Sequence, residues 1–500
     1  MTQEKSTRTS EYRTGILTMI LTGTGCGIVC GGACVTFAWL TSLCDTAFHA
    51  HDRLLWLLPA AGVLVVLLYD GLRREDELSM NALYLRMRGG KPVSPWLMPL
   101  VALSTCLAYL FGGSVGRVGS ALQIGGGLAV CLGDRVNAKL GERADAKLEE
   151  RAGRDSAEGN LADGNLTDKS GAAPLLSADL LLSCGIAAGF TAILNAPLAG
   201  AVFGVEVLVL RGRKLWNVIP ALIASLITCG LGQLAQVPYI SFENDMTGGL
   251  AEAGSLSDKA AMASLVTTGL HPGVLIRVIL IGFAAMLIGR LYCAARKYIT
   301  AGFRKIRLGK GSGEDTWKGS GEDTWKILLG SRVLQVLSGT GLVILVTLLI
   351  GHTDCNGIGF VYVDRVLDGR GALLAFLWKL ILTCLTLGCG IRGGEIAPTI
   401  FIGATGCFTV GCLIGLDPTL AAALGIVGAL ASVTNCPIAI GIYGLEAICC
   451  TPEMLLYIVI VCLISYFFSG TGGIYSEQHP RKVSFAFTCI PYHGNHKDRH

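Results

Sequence analysis

The sequence predicts an all-α polytopic membrane protein assembled from two related halves of partly broken helices. Three observations predict it. Hydrophobic residues make up 52% of the 500-residue chain and charged residues only 15%, against about 25% charge in an ordinary soluble domain; mean hydropathy is +0.58. The apolar residues come in unbroken runs rather than at amphipathic spacing. Two sequence elements also recur, in the same order, in both halves.

Taken in order, nearly charge-free runs include residues 16–40, 54–68, 96–112, 218–231, 274–288, 327–350, 373–387 and 454–468. A bilayer core of about 30 Å takes about 20 helical residues to cross, and lipid leaves no backbone group unpaired, so closed helices are required. Several runs are shorter than a full span. Short apolar segments interrupted by Gly and Pro are the pattern of half-helices, which in transporters mark the substrate site. Gly is abundant (67 residues) and Pro scarce (15), which suits close helix packing and backbone approach to a ligand. Most of the 19 cysteines lie inside apolar runs, among them Cys26, Cys30, Cys34, Cys384, Cys412, Cys449 and Cys450. There they behave as small hydrophobes.

The polar stretches divide the chain. Residues 1–14 are read as a cytoplasmic tail, 15–240 as a first membrane repeat carrying a polar loop at 134–177, and 241–271 as an extramembrane connection. Residues 272–450 form a second repeat with a polar loop at 303–326, 451–475 a final helix with a terminal tyrosine, and 476–500 a short cytoplasmic tail. Both polar loops contain small duplications, including a tandem octapeptide, Gly311–Lys318 copied as Gly319–Lys326. A solvated loop accepts such insertions at small entropic cost. Lys5, Arg8 and Arg13 precede the first run and Arg481, Lys482, Lys497 and Arg499 follow the last. Positive flanks favour the cytoplasm, so both termini are placed inside.

The long-range repeat carries the functional information. Residues 195–206 (NAPLAGAVFGVE) match 435–446 (NCPIAIGIYGLE) at an offset of 240, and Gly116–Gly125 match Gly394–Gly403 at an offset of 278. The two offsets differ by about the length of the loop that only the first half contains. Each Gly-rich element opens an apolar helix, expected over Ser120–Leu132 and Thr399–Leu413, with Pro398 in the first turn where a missing amide is harmless. A helix N-terminus offers unpaired N–H groups and the positive end of the dipole, a natural anion site. Kinked helices with Gly at the breaks would give the same pattern.

These residues resemble the CLC family of chloride and fluoride transport proteins. Gly112–Gly125 is similar to the family's Gly-Arg/Lys-Glu-Gly-x-x-x-Gln-x-Gly, Asn195–Glu206 to its Asn-Ala-Pro-Leu-Ala-Gly segment, and Gly393–Thr405 (GGEIAPTIFIGAT) to the Gly-Gly-Glu-x-x-Pro variant of the fluoride branch. Residues 469–475 (SGTGGIY) resemble the terminal Ser-Gly-x-x-x-Ile-Tyr. The resemblance implies the CLC-type fold of two inverted repeats, a homodimer with one pore per subunit, and transport of chloride or fluoride across the lipid bilayer, with no cofactor, metal or nucleic-acid partner. It implies an anion pathway at Gly116, Arg117, Val118, Gly119, Ser120, Glu395, Ile396, Ala397 and Tyr475, with Met80 and Asn81 at the place of the family's first anion loop.

The departures shape the expectation. Val118 stands at the family's gating glutamate, and valine has neither charge nor proton, so a passive pathway without stoichiometric proton coupling is expected. Val207 stands at the inner proton site, as in the fluoride branch, and Ala397 where that branch usually has Thr. Glu395 retains the branch's acid, either in the ion pathway or hydrogen-bonded to loop amides. Glu206 and Glu446 are expected to cap or bridge helices. An intramembrane enzyme is disfavoured, since neither Gly-x-Ser-Gly with a partner His nor His-Glu-x-x-His occurs. His49 and His51 make at most a local metal candidate. A cation-coupled transporter would need more acids in the apolar runs than they hold.

Overall fold

The computed structural model describes residues 2–71, 80–88, 92–157, 176–209, 212–239, 272–308, 321–448, 452–470, 472–475 and 478. The expectations for the connection at 241–271, the centres of the two polar loops and the last tail fall outside them. In the first half the helices are α1 (Thr2–Ala50), α2 (Leu58–Gly71), α3 (Met80–Met87), α4 (Leu97–Leu110), α5 (Val118–Ala157), α6 (Ala178–Leu194), α7 (Pro197–Glu206) and α8 (Val218–Leu234). In the second they are α9 (Pro272–Leu308), α10 (Gly321–Ile350), α11 (Phe360–Leu367), α12 (Ala375–Gly388), α13 (Ile396–Ile414), α14 (Pro418–Thr434), α15 (Pro437–Ile448) and α16 (Pro452–Phe468). Among the described residues no strand occurs beyond a single bridged pair.

The two halves place their elements at matching sequence spacings. At the offset of 278, α4 falls on α12 end for end, and the start of α5 at Val118 falls on the start of α13 at Ile396. At 240, α6 falls on α14 end for end. Both of those helices stop at an asparagine in the left-handed region, Asn195 (φ 52°) and Asn435 (φ 58°), where a short polar side chain tolerates that conformation. A proline at the head of α7 and of α15 restarts the chain. The packing repeats as well. In the first half α5 lies on α6, and α1 against α4, α6 and α8; in the second, α13 lies on α14, and α9 against α12, α14 and α16. Gly125 and Gly185 let α5 and α6 touch backbone to backbone, since a Cβ on either would strike the other's carbonyl, and Gly403 and Gly425 do the same for α13 and α14. Close approach through small residues is how helices bind one another without a hydrophobic drive.

Among the described residues, six helical segments are long and apolar enough to cross a bilayer, while seven more apolar helices have only 10–17 residues. Large hydrophobic side chains point outward along them, Leu348 and Leu349 being 57% and 72% exposed. Such a surface is compatible with lipid and not with water. Two boundaries differ from expectation. The stretch 134–157, expected as loop, continues α5 as helix, because its residues are chiefly Ala, Lys, Leu, Glu and Arg, all strong helix formers. The polar tail at 2–14 likewise extends α1.

Where the halves meet, each supplies what the other lacks. Glu446 accepts from the Leu198 and Ala199 amides at 2.8 and 2.7 Å, and Glu206 from the Ile438 and Ala439 amides at 3.2 and 2.7 Å. Each carboxylate caps the other half's helix, so Glu206 and Glu446 are bridging groups. Reciprocity of this kind is the mark of a two-fold relation. Glu446→Gln leaves an amide N–H facing an NH₂ group and removes the charge. The expected loss is about 2 kcal/mol, read as a lower unfolding temperature in detergent; an unchanged temperature would count against the bridge.

Candidate functional site

Two glycine loops make the centre. After α4 the chain turns at Gly112 (φ 73°) and after α12 at Gly390 (φ 111°), and the loops then run side by side. Gly116 N–H donates to Gly394 O at 2.7 Å and Gly394 N–H to Gly116 O at 2.6 Å, an antiparallel pair. A Cβ on Gly394 would lie 2.6 Å from Gly119 N and 2.8 Å from Gly116 O; one on Gly116 would lie 2.8 Å from Pro398 Cδ. Only glycine permits this approach. Two residues beyond each paired glycine a helix starts, α5 at Val118 and α13 at Ile396. Two positive dipole ends are thereby held side by side inside the protein.

The first-turn amides of Val118, Gly119 and Ser120 have no protein acceptor among the described residues; the first amide bonded back to the loop is Ala121 N–H, to Arg117 O at 2.9 Å. Val118, Ser120, Ile396 and Ala397 are buried. The Ser120 hydroxyl is already committed: Thr105 Oγ1 donates to Val101 O at 2.7 Å, so across its 2.8 Å contact with Ser120 it must accept. Of Ser120, therefore, the amide is left unpaired at the helix start and the hydroxyl is not. Arg117 is buried too, with Nη1 donating to Ala38 O (3.2 Å) and Ser42 Oγ (2.5 Å) and Nη2 to Pro238 O (3.4 Å). Its charge serves to dock α1 against the loop.

Met80 is buried at the head of α3. Asn81 lies in the first turn of α3, and its side chain is outside the described set. One turn on, Tyr84 donates to Val207 O at 2.8 Å and lies 6.3 Å, ring to ring, from Tyr475. The loop bearing Tyr475 is pinned by Ile474 N–H on Val433 O at 3.0 Å and by Asn435 Nδ2 on Gln478 Oε1 at 3.2 Å. The Tyr475 hydroxyl is buried without a partner among the described residues, a costly condition that calls for a ligand or water. Tyr475 is thus brought beside α3, α3 packs on α5, and α5 meets α13.

Glu395 does not hydrogen-bond to loop amides, one of the two expected roles. It pairs instead with Arg296 of α9 at 2.7 Å. Sequence reading missed Arg296 because it sits in the basic end of an otherwise apolar helix, where Lys and Arg serve as interfacial anchors. Lys379 was missed likewise. Wholly buried, it donates to Cys355 O (3.1 Å) and Gly357 O (2.8 Å) and lies 5.2 Å from the Phe401 ring centre, fastening the loop before α11. A lysine inside an apolar run was the available signal. His49 stands 3.8 Å from Asp45.

The family model described as voltage gated chloride channel matches residues 79–470. A chloride/fluoride channel protein of Pseudomonas syringae pv. tomato (strain ATCC BAA-871 / DC3000) is 25% identical over 437 residues, covering 86% of this chain and 79% of that protein. Among solved structures, that of a CLC-type fluoride/proton antiporter matches with a TM-score of 0.71 at 22% identity, covering 93% of this chain and 98% of the other. A slow cyanobacterial Cl⁻/H⁺ antiporter matches at 0.57 and 16% identity, covering 91% and 93%. These structural likenesses speak for the fold. With the family model spanning more than three quarters of the chain, the chain belongs to the voltage gated chloride channel (CLC) family of membrane channels and transporters.

Proposed function

We propose that the chain carries chloride or fluoride passively across the membrane, through the starts of α5 and α13 and past Tyr475, without stoichiometric exchange for protons. The observation that carries this reading is the reciprocal Gly116–Gly394 pair, which sets two sets of helix-start amides beside each other and suits a small anion held without a full positive charge. The buried, partnerless Tyr475 hydroxyl supports it. Val118, the first residue of α5 and fully buried, is the gate position in this reading; a side chain with no ionisable group can neither occupy the site as a surrogate anion nor carry a proton. The Gly-Gly-Glu-x-x-Pro sequence at 393–398 and Met80 lean the selectivity toward fluoride. The protein works as a homodimer in the plasma membrane with both termini in the cytoplasm.

A second reading, a fluoride/proton or chloride/proton antiporter, draws on Glu395, the acid kept at the start of α13. Purified protein in liposomes separates the two. A halide gradient should drive halide efflux with no uphill proton movement; proton pumping against its gradient would sink the passive reading. Fluoride efflux no faster than chloride would remove the fluoride preference.

A further inference from the structure

Glu395 stands just before the first turn of α13 with its oxygens in different circumstances. Oε1 pairs with Arg296 Nη2 at 2.7 Å, and Oε2 is buried with no partner. Two more buried oxygens lack protein partners nearby, the hydroxyls of Tyr292 and Tyr475, and both residues lie close enough to Glu395 to interact with it electrostatically. Buried polar atoms left without protein partners call for water or a ligand rather than packed core. The titratable and charged groups within electrostatic reach of Glu395 are Tyr292, Cys293 and Arg296 from α9, Cys384 from α12 and Tyr475 from the last loop. Arg296 is the one permanently charged member of that set. It is also the half that reaches out, 37% exposed against 14% for Glu395.

An unpaired carboxylate here would defeat the site. It would occupy the positive end of α13 as a built-in anion and repel any halide approaching the same amides. We propose that Arg296 is the specificity-determining counter-charge of the pathway: it cancels the charge of Glu395 so that a small halide can reach the α13 start, and its ion pair opposes protonation of the carboxylate. The inference rests on the proposed route through α13 and adds to it a residue that no motif contains. It also gives the missing proton coupling a second cause, separate from Val118.

The test uses halide efflux from liposomes carrying the full-length protein, at about pH 8 and about pH 5 on both sides, spanning the range in which a lone carboxyl group in a protein titrates. Wild type should show a flat profile. Arg296→Gln should lower flux at the alkaline end about tenfold or more and regain it on acidification, as protonation removes the stranded charge. Arg296→Lys keeps a cation within reach and should keep the profile flat. Arg296→Gln combined with Glu395→Gln removes both charges and should recover most of the lost flux, without pH dependence. A flat, undiminished profile for Arg296→Gln would overturn the proposal, and so would a double variant as slow as the single one.

Should wild type pass no halide, the passive reading itself fails, and infrared difference spectra of the purified proteins still test the pairing. Acidification should raise a protonated-carboxyl band in Arg296→Gln that the double variant lacks and that wild type does not show over the same range. Its absence from Arg296→Gln, or equal appearance in wild type, would overturn the role of Arg296.

Discussion

Gly394→Ala is expected to abolish halide flux. The new methyl carbon would lie 2.6 Å from Gly119 N and 2.8 Å from Gly116 O, and both are backbone atoms locked into helix or loop that cannot swing aside. Relief requires the two loops to part, which breaks the hydrogen bonds of 2.7 and 2.6 Å between Gly116 and Gly394. Overpacking costs about 1–3 kcal/mol and the two bonds about 1 kcal/mol each, enough to displace the start of α13 from that of α5. A shift of about 1 Å in a converging set of donors lowers function about a hundredfold. Gly341→Ala is the control, for its Cβ meets nothing within 4 Å; there helix propensity alone acts, favouring alanine by up to about 1 kcal/mol. Flux per reconstituted protein, with unfolding temperature measured alongside, distinguishes lost geometry from a protein that never folds. Equal flux in the two variants would mean that the glycine pair does not shape the pathway.

Val118→Glu is expected to turn a pH-indifferent conductor into an acid-activated one. The residue begins α5 and is fully buried, so an ionised carboxylate there would sit on free amides at the positive dipole end, a placement worth up to about 2 kcal/mol. At about 1.4 kcal/mol per tenfold change, competition of that size lowers occupancy by a halide more than tenfold. Protonation removes the competitor. Flux should therefore be low at alkaline pH and rise as pH falls through the glutamate's pKa. Val118→Gln, of nearly the same shape and without the charge, should be insensitive to pH, and identical profiles for the two substitutions would show that bulk alone was responsible.

Much of the architecture was legible because the gene-scale repeat survives as residue spacing. The offsets of 240 and 278 are also the register of the paired helices, since a helix ended by Asn and restarted by Pro, as at 195–197 and 435–437, is fixed by those residue types. The short apolar runs became half-length helices for the same reason. The continuation of α5 through 134–157 is hidden, because a polar stretch reads as a loop although its residues are helix formers. The site was legible where backbone makes it. Gly116, Gly394 and Pro398 declare a helix start, whereas the engagement of the Ser120 hydroxyl by Thr105 depends on a neighbour that no motif includes. Least visible was Arg296, 99 residues before its partner Glu395, a cation whose role emerges only when α9 is laid against α13.

The crossed caps of Glu206 and Glu446 have a bearing on how the chain is made. When the first half leaves the ribosome, the leading amides of α7 lack the carboxylate that will receive them, because Glu446 is not yet synthesised. In hydrocarbon those amides are costly to leave bare, so α7 must wait shallow, hydrated or borrowed by another partner until the last fifth of the polypeptide arrives. The first half therefore cannot settle as a finished unit before Glu446 has been made. A duplication that began as two copies has in this way become a single obligate assembly.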